Sequence, residues 1–240
     1  HNLTQLNAGS QSGMSNSGTG YEMRLRSYFG RINYGFDNKY LLEVSGRYDG
    51  SSKFGENKRW GWFPSLSAGW IISKEGFMKE VDFISNLKVR ASYGSVGNNS
   101  TADYQYLNKI SLGQNYPFGG TINAGAAQIS ASSPDLQWER STTTDLGIDL
   151  SLFNNKLTFT GDYYDRYTDR ILIAVPVSSI YGLPAPTVNG GAMRNTGIEF
   201  QLGYTNAVGK FSYEISSNVG FNKSRTVKFP NPSINTRIYS

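Results

Sequence analysis

Three carboxylates, Asp162, Asp165 and Asp169, crowd the segment GDYYDRYTDR. That is a density of hard oxygen donors that would suit a divalent cation. The segment alternates like a strand, however, and a step of three residues moves Asp165 to the face opposite Asp162. A charged rim where a strand ends accounts for them better than a metal site. The stretch YDGSSKFGEN (48–57) is also rich in oxygen donors. It lacks the spacing of an EF-hand loop and reads as an external turn. The single histidine is His1, so a serine hydrolase would have no internal base, and no catalytic residue is assigned. Cysteine is absent, which removes disulfides and thiolate metal sites. The pairs Gly119-Gly120 and Gly190-Gly191 read as turn devices, without the strand-to-helix setting that phosphate binding requires. No cofactor or metal is expected. The remaining candidates are aromatics in the long connections: Tyr104, Tyr106, Tyr116, Phe118, Trp138 and Tyr181. They suit stacking on sugar rings or packing against a second protein, and equally suit packing the loops against one another.

The elements that carry these residues show in the alternation. Tyr28, Gly30, Ile32, Tyr34 and Phe36 fall on one face, with Phe29, Arg31, Asn33 and Gly35 on the other. After a tight turn at Asp37–Lys39, Tyr40, Leu42, Val44, Gly46 and Tyr48 resume the apolar row opposite Glu43, Ser45, Arg47 and Asp49. Period-two alternation marks strands with one apolar and one polar face. The same reading predicts strands at 60–72, 87–96, 140–153, 157–168, 194–204 and 211–221, eight in all. A helical turn is expected within 73–86, and Pro64 predicts an irregular spot in the third strand. Connections read as short and long in strict alternation. Asp37–Lys39 and Asn154–Lys156 are among the short ones, and 97–137 and 171–192 are the long ones. Hairpin turns make neighbouring strands antiparallel.

Composition bounds the setting. Lys plus Arg number 23 against 18 Asp plus Glu, a net charge of +5 spread along 240 residues without a basic run. No nucleic-acid partner is expected. No stretch of 18 apolar residues is present, so no transmembrane helix is predicted. Twenty-seven glycines and sixteen tyrosines on alternating strands suggest an all-β chain that meets an interface. A β-sandwich gives the same alternation. Three features favour a membrane barrel instead. Most strands reach the roughly 9–11 residues needed to span a bilayer. Apolar rows end in aromatics, as in Tyr28 and Phe36, Tyr40 and Tyr48, Trp62 and Trp70, and Phe211 and Phe221. Loop lengths also sort to two sides. The opposite row, with Arg31, Glu43, Arg47, Lys88, Arg90, Asp145, Asp149, Asp162, Glu199 and Glu214, suits a water-filled lumen.

The segments SYFGRINYGFDNKYLLEVSGRYDGSSKFGENKRWGWFPSLSAGWIISKEGFM, LKVRASYGSVGNNS, LQWERSTTTDLGIDLSLFNNKLTFTGDYYDRYTDRIL and GAMRNTGIEFQL together resemble the barrel of SusC/RagA-family TonB-dependent outer-membrane transporters. The resemblance covers residues 21–222 in the family's order and spacing. It implies a multi-pass β-barrel of 22 strands in the outer membrane, filled by a plug and covered by a SusD-like lipoprotein. It further implies import of oligosaccharides, or in some members peptides, with energy from the TonB complex.

On this reading, residues 1–20 are a loop or tail, 21–222 are about eight strands of a larger transmembrane barrel, and 223–240 are a truncated external loop. The sheet is expected to be open, and the sequence reads as a fragment whose plug and closing strands lie outside it. The tight turns would mark the periplasmic side and the long loops the exterior. Two other functions are carried alongside: a soluble β-sandwich binding module and a passive porin or adhesin barrel.

Overall fold

The first two alternating runs close into a hairpin. Strand β1 (Leu25–Phe36) pairs with β2 (Tyr40–Ser51). The turn between them places Asp37 and Asn38 at φ 51° and 49°. Asp and Asn tolerate this left-handed region, and a turn with two such residues matches the right-handed twist of the strands. A computed structural model describes residues 20–229 apart from 176, 179 and 181. Within them β3 (Trp60–Ile71) and β4 (Ile84–Asn98) follow, then four short strands within the longest connection. These are β5 (Ile110–Leu112), β6 (Tyr116–Phe118), β7 (Thr121–Asn123) and β8 (Ala126–Gln128). The main series resumes with β9 (Glu139–Leu152), β10 (Leu157–Ala174), β11 (Thr187–Val208) and β12 (Phe211–Lys228).

Eight long strands form one antiparallel sheet in the order β1-β2-β3-β4-β9-β10-β11-β12, with β1 and β12 at its edges. The fold class read from the sequence, an open all-β antiparallel sheet, is the one observed. Each register keeps apolar residues on one face. Tyr48 lies opposite Trp62, Val89 opposite Ile148, and Ile198 opposite both Tyr163 and Phe221. No second layer covers that face among the described residues. Ile32 is 72% exposed and Leu146 53%, values a sandwich core would not leave. Among the described residues the buried apolar side chains are Phe54, Phe63, Leu136, Trp138 and Ala192.

Several expectations are corrected. Connection lengths do not alternate strictly. At the tight-turn end, residues 72–83 join β3 to β4 through two 3-10 turns (Ile72–Lys74 and Gly76–Met78). That span is longer than 52–59, which joins β2 to β3 at the opposite end. The last three strands also run further than the alternation predicted. β10 continues to Ala174, β11 begins at Thr187, and β12 continues to Lys228, past the expected boundary at 222. Backbone ladders persist there although the apolar–polar alternation is lost, 171–174 being apolar on both faces and 222–228 mostly polar. The terminal stretches 1–19 and 230–240 lie outside the described residues.

Pro64 marks the irregular spot that it predicted. The β3–β4 ladder stops at Ser65 opposite Gly94, next to a residue with no N–H to donate. Beyond it β3 stays paired with β2 up to Trp60, and β4 stays paired with β9 up to Asn98. The Arg140 guanidinium spans the parting and donates to the Trp62 carbonyl at 3.2 Å.

Candidate ligand-facing wall and rim

The polar face carries its charges in fixed groups. Arg90 on β4 reaches three carboxylates from two neighbouring strands. Its Nε lies 3.2 Å from Asp149 and its terminal nitrogens 3.5 Å from Asp145 and 2.9 Å from Asp162. Gly147, between Asp145 and Asp149, leaves the space for this. A Cβ there would stand 2.5 Å from the Arg90 guanidinium carbon. Register brings Glu199 of β11 opposite Asp162, so the group as a whole carries excess negative charge. Nearer β1, Arg47 donates to both oxygens of Asp49 at 2.8 and 2.7 Å and to Ser27 at 3.1 Å. Arg47 and Asp49 line a concavity of about 510 Å³ with Arg31, Phe63, Asn99 and Trp138. Such a wall carries hydrogen-bonding groups and mixed charge suited to a polar ligand.

The three aspartates that suggested a metal site are dispersed. Asp162 bonds Arg90 on the polar face, Asp165 pairs with Arg194 on the apolar face, and Asp169 pairs with Arg170. The change of face between Asp162 and Asp165 follows directly from strand geometry.

The rim at the long-loop end is held by a small aromatic core. Phe54, Phe63, Leu136 and Trp138 pack together. Trp138 stands 5.5 Å from both Phe54 and Phe63, edge-on to the latter, and its indole N–H donates to the Arg59 carbonyl at 2.8 Å. The cluster occupies the parting of β3 and β4. Gly97 makes room for it, since a Cβ there would lie 2.1 Å from the Phe63 ring. Asn189 at the start of β11 fastens a second connection. Its amide donates to the carbonyls of Gln137 and Arg170, both at 2.8 Å, and its oxygen accepts the Gln137 N–H at 2.8 Å. Gln105 ties the long connection to the same strand through Thr187 at 3.2 Å, and Lys53 reaches the Thr101 carbonyl at 2.7 Å.

The loop aromatics fare differently from one another. Trp138 is 7% exposed and serves as an anchor, because its apolar rings fill the strand parting and its N–H is already bonded. That burial matches the loop-packing alternative, one of the roles the sequence leaves open. Tyr104 is half-buried, with φ +60°, and its hydroxyl both donates to the Glu22 carbonyl and accepts the Glu22 N–H, at 2.9 Å each. Tyr106 is half-buried against the 52–59 connection. Tyr116 and Phe118 project from the β6–β7 hairpin, 70% and 77% exposed. Tyr181 lies outside the described residues. Sequence reasoning missed Phe54 as an anchor. Its only cue was an aromatic inside an otherwise polar, glycine-rich turn.

Aromatic rows close both ends of the apolar face. Toward the long loops, Tyr48 stacks on Trp60 at 4.7 Å and Tyr28 at 6.1 Å from the same ring. Toward the tight turns, Tyr40 stacks on Trp70 at 6.3 Å. There Glu75 accepts from the Tyr40 hydroxyl at 2.7 Å and the Trp70 indole at 3.1 Å, with Lys39 3.6 Å away. The Tyr40 hydrogen bond, then that of Trp70, holds the Glu75 carboxyl below the ordinary glutamate range, against partial desolvation.

Comparison with known proteins agrees with this geometry. Residues 2–238 match the family model described as TonB dependent receptor-like, beta-barrel. The chain is 36% identical over 219 residues to the TonB-dependent receptor SusC of Bacteroides thetaiotaomicron, covering 88% of this chain and 22% of that protein. It is 35% identical over 210 residues to TonB-dependent receptor P3 of Formosa agariphila, covering 87% and 21%. Among solved structures, the RagAB peptide importer in its closed-closed state superposes with a TM-score of 0.78 at 32% identity, over 88% of this chain and 23% of that one. The chain thus spans about a fifth of the length of the curated relatives it matches. With the family model matched along nearly its whole length, the chain belongs to the TonB-dependent receptor β-barrel family.

Proposed function

We propose that this chain is part of the lipid-facing wall of an outer-membrane importer that takes up oligosaccharides or peptides. The observation that carries the reading is the uncovered apolar face. A single eight-stranded layer leaves Ile32, Leu66, Leu146 and Leu202 exposed, an apolar area far larger than a soluble monomer tolerates. Its two aromatic rows are set by Tyr40 and Tyr48 on one strand and by Trp62 and Trp70 on the next. Eight residues at about 3.3 Å each separate them by about 26 Å along the strand. With the tilt of barrel strands, that corresponds to about 20 Å across a bilayer whose apolar band on barrels is about 25 Å tall. A sandwich face would need a second sheet there.

In this setting the Arg90 group and the Arg47–Asp49 concavity face the lumen, and the rim aromatics face the exterior. Tyr116 and Phe118 are the exposed candidates for contact with substrate or with a SusD-like lipoprotein. Tyr104, Tyr106 and Tyr181 complete the proposed set. Trp138 belongs to the set read from the sequence, and its burial supports an anchoring role for it instead. TonB would act through the plug region of the full-length protein. The relatives' names support the transport reading, since SusC is a TonB-dependent receptor and RagAB a peptide importer.

Membrane fractionation of the full-length protein tests the proposal. It is expected in the outer-membrane fraction, released only by detergent. Recovery of the intact protein as a soluble monomer without detergent would sink the reading.

A further inference from the structure

Beyond Pro64 the strands β3 and β4 do more than part. Register places Phe63 opposite Arg47, on the polar face, and Tyr93 opposite Leu66, on the apolar face. The β4–β9 ladder runs from Tyr93 to Asn98 without a shift, so Ser95 and Gly97 share the face of Tyr93. Yet a Cβ on Gly97 would stand 2.1 Å from the Phe63 ring. The apolar-row side of β4 has therefore turned over the polar-row side of β3, with the ring between them. The Asn99 amide donates to the Ser51 hydroxyl at 3.1 Å and fastens the end of β4 to the end of β2. A cleft of about 510 Å³ lies in this overlap, a size within the range of small-molecule sites. Strands β2, β3 and β4 supply most of its lining, and each has both sheet neighbours in this chain.

Three features of the lining converge on one ligand chemistry. Ser95 is 8% exposed, and its hydroxyl has no hydrogen-bond partner among the described residues. A buried hydroxyl without a partner is costly, so a ligand group that bonds it is held strongly. The charges beside it are balanced. Asp49 is 7% exposed and holds the Arg47 Nε on both oxygens, while Arg31 lies 3.5 Å from Glu43. Among these groups a free carboxylate or ammonium finds no uncompensated charge. Ser45 and Ser65, opposite each other on β2 and β3, add hydroxyls, and Phe63 and Trp138 add apolar ring surface. An uncharged ligand with hydroxyls around an apolar ring face, a saccharide unit, suits all three.

We propose that the overlap of β3 and β4 is a subsite for one uncharged saccharide unit, with the Ser95 hydroxyl as its buried hydrogen-bond anchor and Phe63 and Trp138 behind it. The proposal rests on the importer reading and narrows it, from oligosaccharide or peptide to a sugar that touches the wall itself.

Saturation-transfer NMR titration of the full-length protein in a polyoxyethylene detergent tests it. The separate probes are D-glucose, D-galactose, D-mannose, D-xylose and L-fucose, with trialanine as the peptide probe. At least one sugar should bind the wild type. S95V removes the hydroxyl at similar side-chain size and should weaken that binding about fivefold, the effect of one hydrogen bond. S95T keeps the hydroxyl and should bind as the wild type does, which separates loss of the anchor from disturbance of the strand. Absence of binding by every sugar would overturn the proposal. So would equal binding by wild type and S95V, equal weakening in both variants, or binding of trialanine alone. Any of these in a protein that fractionates with the outer membrane fails only the subsite. Recovery as a soluble monomer without detergent would instead fail the importer reading beneath it.

Discussion

The two ends of the wall are fastened by different physics. At the tight-turn end the strands are joined by hydrogen bonds to a largely buried carboxylate. Glu75 gathers Tyr40, Trp70 and Lys39, and the turns themselves are Asp-Asn and Asn-Asn pairs with positive φ. At the long-loop end the fastening is a buried apolar cluster, Phe54, Phe63, Leu136 and Trp138, backed by the amide of Asn189. The difference follows from what each end must hold. The short turns there fix their own geometry, and the longer 72–83 connection is held by the Glu75 clasp. A connection as long as 99–138 has chain entropy to overcome, and apolar burial is the larger available source of stabilisation.

That contrast predicts its largest effect at Trp138. Trp138→Ala removes the ring that touches both phenylalanines and the indole bond to Arg59, and should cost about 3–5 kcal/mol locally. In the full-length protein, hydrogen exchange should accelerate across the roots of the 52–59 and 99–138 connections, while amides near Glu75 keep their protection. Equal loss at both ends would show that the ends are not independent and would break the comparison.

A smaller effect is expected at Asn189. Its side chain makes three bonds, two to carbonyls and one from a backbone N–H. Asn189→Ala leaves these groups unpaired and should cost about 1–3 kcal/mol. The change should appear as faster exchange at Gln137 and Arg170, with Trp138 still buried as judged by fluorescence. Detachment of Trp138 in this variant would mean that the amide, not the aromatic cluster, carries the rim.

How much of this was legible beforehand depended on contrast between faces. Alternation located β1, β2 and β9 well because an apolar row opposes a polar one along their length. It fell short at the ends of β10, β11 and β12, where 171–174, 187–193 and 222–228 belong to ladders whose two faces no longer differ. Register and hydrogen bonds continue there without a pattern to announce them. Pro64 was readable because its missing N–H has one consequence in a sheet. The Arg90 group was readable only as a charged row. That one guanidinium collects three aspartates depends on Gly147 and on cross-strand register, which no single strand encodes. Trp138 and Phe54 were visible as aromatics in loops, but loop aromatics that bind and those that anchor share one composition. Burial separated Trp138 from Tyr116 and Phe118.

The smallest effect sharpens the comparison by pH. Glu75 has its carboxyl held down chiefly by the Tyr40 and Trp70 hydrogen bonds, with Lys39 adding charge. Lys39 is raised in turn, chiefly by its hydrogen bond with Asp37. A carboxyl lowered in the folded state contributes stability that is complete above its ordinary range and lost as pH falls through the lowered value. A raised lysine contributes below its ordinary range and loses that contribution only as pH rises through the raised value. The clasp should therefore be unchanged between about pH 6 and 8 and loosen below about pH 4. Its reporter is the Ile71 amide, which donates to the Lys39 carbonyl at 2.8 Å. Exchange at Ile71, corrected for the intrinsic rate, should accelerate on acidification in the wild type. Glu75→Gln should exchange faster at neutral pH, with a flat profile below it, because the amide keeps an acceptor but has no charge to lose. The aromatic cluster at the other end contains no titratable group, so the roots it anchors should show no matching acid response. A wild-type Ile71 profile flat down to about pH 3 would remove the carboxylate from the account of this end.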